Sequence, residues 1–135
     1  MTDRAYIFQF SGRPAESLEV AQQAALMDPK DAGATFHYIC KAKLYLGQYA
    51  AAVTPCEKAA VLENNWWIQF YLVAVYTHNG DTAKASIARD ELFRRQPGFR
   101  LGRYRAMLRS SPPAFFELFD KHVAPALVKG GIPET

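Results

Sequence analysis

The chain has 135 residues, half of them apolar, 21% charged and 13% aromatic, with a formal net charge of +3. That balance excludes a disordered tail, and no apolar run approaches the roughly 18 residues of a membrane span. The length suits one domain with its own core.

In chain order, the first segment carries Tyr6, Ile7, Phe8 and Phe10, then Gly12 and the helix-like run PAESLEVAQQAALM, which ends at Asp28-Pro29. Asp31 is placed to cap a second helix from Ala32, in which Phe36, Ile39, Cys40 and Leu44 recur at helical spacing. Gly47 punctuates it, and YAAAVTPCEKAAVL follows as far as Asn64-Asn65. Pro55 lies inside that run. The apolar period continues past it through Val53, Cys56, Ala60 and Val61, so a kinked helix is expected there rather than two helices. Asn65 and Asp81 are positioned to cap the runs from Trp66 and Thr82, with Gly80 between those runs and Gln96-Pro97 after the second. Segments such as YLVAVY are β-prone locally, but their flanks carry no hairpin turns, so they are read as helix.

The punctuation has a period. Gly12, Gly47 and Gly80 are 35 and 33 residues apart, and Pro29 and Pro97 are 68 apart, twice 34. A glycine that ends one helix and a breaker that ends the next, repeated at one interval, describes stacked helix pairs. After Pro97 the pattern changes. A short helix is expected from Phe99 to Leu108, with Ser110-Ser111-Pro112-Pro113 opening another that carries Phe115, Phe116, Phe119, Val123 and Leu127 on one face. Gly130-Gly131 stops it, and such a helix is expected to cover the exposed end of the array.

These residues resemble the tetratricopeptide repeat family of 34-residue helix–turn–helix units. Phe36 and Ile39, Leu46-Gly47-Gln48-Tyr49, Ala52 and Ala59 match one unit; Leu72, Tyr76, Gly80, Ala85 and Pro97 match the next. Gly12, Ala24 and Pro29 match a first, with Ser17 where alanine is usual. The resemblance implies an all-α, right-handed superhelical array of antiparallel helix pairs, about seven or eight helices with a C-terminal capping helix. Residues 1–109 hold units at about 3–31, 32–64 and 65–98 and the start of a fourth pair, and residues 110–135 form the cap and tail. A second resemblance is shorter. Lys129-Gly130-Gly131-Ile132-Pro133-Glu134 is similar to the tails of bacterial class III adenylate/guanylate cyclase-related proteins, in which a helical array follows the catalytic domain. No counterpart of the cyclase's metal-binding aspartates or catalytic segments is present.

The sequence gives no catalytic residue, metal or cofactor. His37, His78 and His122 have no metal-ligand spacing and are read as solvated or partner-facing, and neither a phosphate loop nor a nucleophile elbow occurs. Two cysteines are too few for a disulfide framework. With no signal-like leader, they suggest a cytoplasmic protein whose Cys40 and Cys56 are free buried thiols. The expected function is therefore non-catalytic protein binding, as a scaffold in bacterial signalling. Its expected site is the concave face formed by the first helix of each pair, with His37, Lys41, Leu44 and Tyr45 in one unit and Trp67, Phe70, Tyr71, Ala74, Thr77 and His78 in the next. Trp66 and Trp67 cannot both be fully buried on one helix face. The two-carboxylate clamp known in the family is not matched, since its positions read His37, Lys41, Phe70 and Ala74 here. Self-association through the N-terminal segment is a variant of this reading. An alternative is an anion- or nucleic-acid-binding module using Arg94, Arg95, Arg100, Arg103, Arg105 and Arg109, six of the 16 basic residues; nucleic acid is its weakest form, because no groove-reading motif occurs.

Overall fold

The structure is a computed structural model that describes residues 11–27 and 32–135. Among the described residues it is all-helical, an array of antiparallel helix pairs. In order these are α1 (Pro14–Met27), α2 (Ala32–Tyr45), α3 (Tyr49–Leu62), α4 (Trp66–His78), α5 (Thr82–Arg95), α6 (Leu101–Met107), α7 (Pro113–His122) and α8 (Ala124–Lys129). The N-terminal segment with Tyr6, Ile7, Phe8 and Phe10, the Asp28-Pro29 break and the Asp31 cap lie outside the described residues.

The expected turns are built by one device. Gly47 has φ of 75° and Gly80 of 76°. At the first, Gly47 N–H donates to the Leu44 carbonyl and Gln48 N–H to that of Lys43; at the second, Gly80 donates to Thr77 and Asp81 to Tyr76. Each is a Schellman stop, in which a left-handed glycine lets two backbone donors return to carbonyls that the helix leaves unpaired. The Asp81 carboxylate then caps α5 by accepting from Lys84 N–H at 3.1 Å. Asn65 precedes α4 as expected but makes no such bond, and its amide donates to Glu63 instead. α3 runs as one helix through the buried Pro55.

Consecutive helices pack in turn, α1 on α2, α2 on α3, α3 on α4 and α4 on α5. α4 is the centre. Nine consecutive residues, Ile68 to Tyr76, are buried, so it presents no polar face to water. Small residues allow the close approach of the outer helices: Ala52 and Ala59 of α3 and Ala85 and Ala88 of α5 are all buried.

Two expectations are corrected. Cys40 of α2 and Cys56 of α3 are not free thiols but a disulfide, fully buried, with Cα atoms 4.7 Å apart. Helical register turns both side chains into the seam of one helix pair, a proximity that the number of cysteines does not reveal. The second correction concerns the C-terminal helix, which does not simply close the end of the array. Val123 breaks it into α7 and α8, and the pair folds back over the helices expected to line the concave face, α7 against α2 and α8 against α4. Phe115 meets Tyr45 with ring centroids 5.7 Å apart, and Phe119 meets Tyr104 at 5.5 Å. Gly130 lies so close to α4 that an added Cβ would sit 2.6 Å from Val73. A third Schellman stop at Gly131, with Gly131 N–H to Val128 and Ile132 N–H to Leu127, turns the tail back. Ile132 is buried there, and the carbonyls of Pro133 and Glu134 accept from Leu101 and Gly102 N–H at the start of α6. An added Cβ on Gly102 would lie 3.3 Å from the Glu134 carbonyl oxygen, so the tail packs closely on α6 there.

Candidate functional site

The return of α7 and α8 divides the expected partner-binding residues into three groups. Tyr45, Phe70 and Tyr71 are buried in the core, together with Leu44 and Ala74. Phe70 packs on Tyr71 and Phe99 and edge-on against Tyr104. The hydroxyls of Tyr45, Tyr71 and Tyr104 form a chain across α2, α4 and α6, with O–O distances of 2.8 and 3.4 Å. Burial holds the Tyr45 and Tyr71 phenols well above their ordinary pKa, so both stay protonated.

Thr77 and His78 form the second group, at the α4–α8 contact. Nε2–H of His78 donates to the His122 carbonyl at 2.5 Å, and its ring stacks on Tyr49 with centroids 3.6 Å apart. The Tyr49 hydroxyl and Nδ1 of His122 are hydrogen-bonded at 2.7 Å. Desolvation lowers the His122 pKa, which favours the neutral ring. His78 thus ties α4 to the end of α7.

His37, Lys41 and Trp67 are the third group, and they remain together in an open cleft of about 380 Å³. Ala34 and Tyr38 of α2, Glu63, Trp66 of α4, and Tyr104, Met107 and Leu108 around α6 complete its lining. Trp66 and Trp67 are both half-buried, packed edge-on to one another at 5.8 Å. His37 was expected at the surface, but it is only 4% exposed. Its Nε2 lies 2.8 Å from the Glu63 carbonyl, which can only accept, so the ring proton sits there. Desolvation lowers the pKa of His37 and keeps the ring neutral, leaving Nδ1 as a buried acceptor without a hydrogen-bond partner.

One turn along α2, Lys41 is 9% exposed. Its ammonium lies over the rings of Tyr71 and Tyr38, at 5.1 and 5.9 Å from the centroids, and makes no ion pair among the described residues. Desolvation brings its pKa down to about 8, only partly opposed by the more distant Glu63. Glu63 is exposed, and its carboxylate accepts from the Asn65 amide. The cleft therefore combines aromatic walls, a nearly buried cation without a counter-ion among the described residues and a neutral imidazole. Sequence reading places Lys41 on this face, but it does not reveal that the ammonium is desolvated, because Tyr71 and the α6 wall come from other units.

The six arginines do not form one site. Arg94 and Arg95 both pair with Glu91, whose carboxyl is held down at about 2 by hydrogen bonds from Arg94 and then Arg95. Arg95 also donates to the Asn64 carbonyl, tying the end of α5 to the turn before α4. Arg105 pairs with Asp120 of α7 and Glu134 of the tail. Arg100, Arg103 and Arg109 are exposed and carry no ion pair among the described residues.

Among the described residues, no group of three or more His, Cys, Asp or Glu is placed to hold a metal, and no helix is long and apolar enough to cross a membrane. The fold defines the chain as an all-α array of helix pairs whose inner layer is largely covered by its own C-terminus. No family model, curated protein or solved structure matches it.

Proposed function

We propose that this chain is a non-catalytic protein-interaction module of the tetratricopeptide type, binding its partner at the cleft between α2, α4 and α6. The observation that carries this reading is the gathering of His37, Lys41 and Trp67 in that cleft, while Tyr45, Phe70 and Tyr71 are buried in the core. Two half-buried tryptophans beside a desolvated cation are the composition of an interface hot spot. The paired Schellman stops 33 residues apart support the repeat type. The setting proposed is bacterial signalling, as a scaffold attached to or working beside a cyclase-related protein. The tail that resembles those proteins also has a structural task here, pairing with the start of α6, so the resemblance bears on the setting alone. The cytoplasmic expectation implied free thiols, and the Cys40–Cys56 bond counts against the reducing compartment it assumes.

Selection from a displayed peptide library tests the reading. Enriched sequences should bind the wild-type chain and lose most of their affinity for Trp67→Ala. Enriched peptides indifferent to that change would place the interaction elsewhere. Arg100, Arg103 and Arg109, exposed and without ion pairs, favour the anion-binding module as the second reading. It requires polyphosphate or nucleic-acid affinity that falls steeply with salt.

A further inference from the structure

Lys41 poses a question that the fold alone does not answer. A cation nearly removed from water is ordinarily matched by a carboxylate, because unpaired charges are costly to bury. Here no carboxylate of the described residues pairs with it, and what faces it is a set of phenol rings and a cleft open to the outside. Glu63, the one carboxylate in the lining, is exposed and engaged by Asn65. His37 is neutral, so Lys41 is the single cation in the lining, and the remaining walls are aromatic or aliphatic.

We infer that the cleft is a binding site for a small aromatic carboxylic acid, with the carboxylate paired to Lys41 and the aromatic body held against Trp66, Trp67 and Tyr104. The inference rests on the reading of this cleft as the binding site and names the chemistry that fits it. The size decides between occupants. A volume of about 380 Å³ lies in the range of small-ligand sites, and a carboxylate on one or two rings fills it. The charge decides the head group. A ligand carboxylate supplies the missing counter-ion in a desolvated setting, where a charge-assisted hydrogen bond is strongest. Occupation of the cleft by such an acid would also exclude a partner's side chain from it, making the acid a competitor of the proposed interaction.

The two tryptophans of the chain are Trp66 and Trp67, so intrinsic tryptophan fluorescence reports on this cleft directly. The full chain is titrated with 3-phenylpropionate and with its neutral isostere 3-phenylpropionamide, without any partner. Expected are a saturable change with the acid, with a Kd of about 1 mM or tighter, and affinity weaker by about tenfold or more for the amide. Lys41→Met keeps the length of the stem and removes the charge. It should bind the acid about tenfold more weakly or worse while retaining the wild-type circular dichroism spectrum. No saturable response to the acid up to the order of 10 mM overturns the inference. So does equal binding of acid and amide, or equal binding by Lys41→Met. Any of these outcomes leaves the peptide selection free to succeed, so failure of the ligand class is distinguishable from failure of the module.

Discussion

Lys41 and the histidines set how this chain responds to pH, and the sign follows from where each proton sits. The unfolded chain holds the Lys41 proton up to the ordinary 10.5, whereas in the folded chain burial lowers that limit to about 8. Between those values the unfolded state binds more protons, so folding loses stability as pH falls through the window, and the whole penalty is present at neutral pH. The difference corresponds to at most about 3 kcal/mol. Lys41→Met is therefore expected to unfold at higher denaturant concentration than wild type at pH 7, with the two converging towards pH 10.5. A Lys41→Met chain less stable than wild type at pH 7 would mean that the ammonium is well compensated. The histidines act at the other end. His37 and His122 have lowered pKa values, chiefly by desolvation, so the unfolded chain takes up protons first as pH drops through about 6.5. Stability should fall below that point, and His122→Gln should reduce the slope, since it removes one of the two groups whose proton uptake burial opposes in the folded chain. An unchanged slope in a series of urea titrations would remove His122 from this role.

The helix pairs owe their geometry to short, local signals. The Gly47 and Gly80 stops, the Asp81 cap and the buried alanines of α3 and α5 are all legible as residue types at intervals. Each acts within a few residues of itself or through the size of one side chain. The disulfide belongs to the same scale but was misread. Cys40 and Cys56 are 16 residues apart, on antiparallel helices that lie side by side, so the turn between them brings their Cα atoms within bonding reach. Compartment arguments from a count of two cysteines do not see this. Closing a loop of that length constrains the unfolded chain by about 3 kcal/mol in the chain-entropy account. Reduction, or the Cys40→Ser, Cys56→Ser double variant, is expected to lower stability by about 2–4 kcal/mol. Thiol titration of the unfolded but unreduced chain should find no free thiol. Two titrating thiols would show that the bond does not form in solution.

For the whole molecule, the decisive feature is the return of α7 and α8 across α2 and α4. Phe115, Phe119, Val123, Leu127 and Ile132 enter the same core as Tyr45, Phe70 and Tyr104, so the C-terminus completes the inner layer of the array. Truncating Phe119, 1% exposed and packed on Phe115 and Tyr104, removes a ring from the middle of that layer. Phe119→Ala should cost about 3–5 kcal/mol in chemical denaturation and increase the binding of an apolar dye. A cost under about 1 kcal/mol would mean that the C-terminal helices are loosely attached.

The helical class, the positions of the stops and the apolar faces are legible in the residues, because turn chemistry and the 3.6-residue period act over a few neighbours. The same period puts His37 and Lys41 on one face of α2, whereas Trp67 joins that face only in what the repeat resemblance implies. Which part of that face stays open is a matter of long-range packing. That depends on where Phe115 and Phe119, some 70 residues from Tyr45 along the chain, find the largest apolar surface to cover. Periodicity shows that a helix has an apolar face but not which face it meets. The desolvation of Lys41 depends in part on the same long-range packing, as Tyr71 of α4 joins Tyr38 of its own helix around the ammonium.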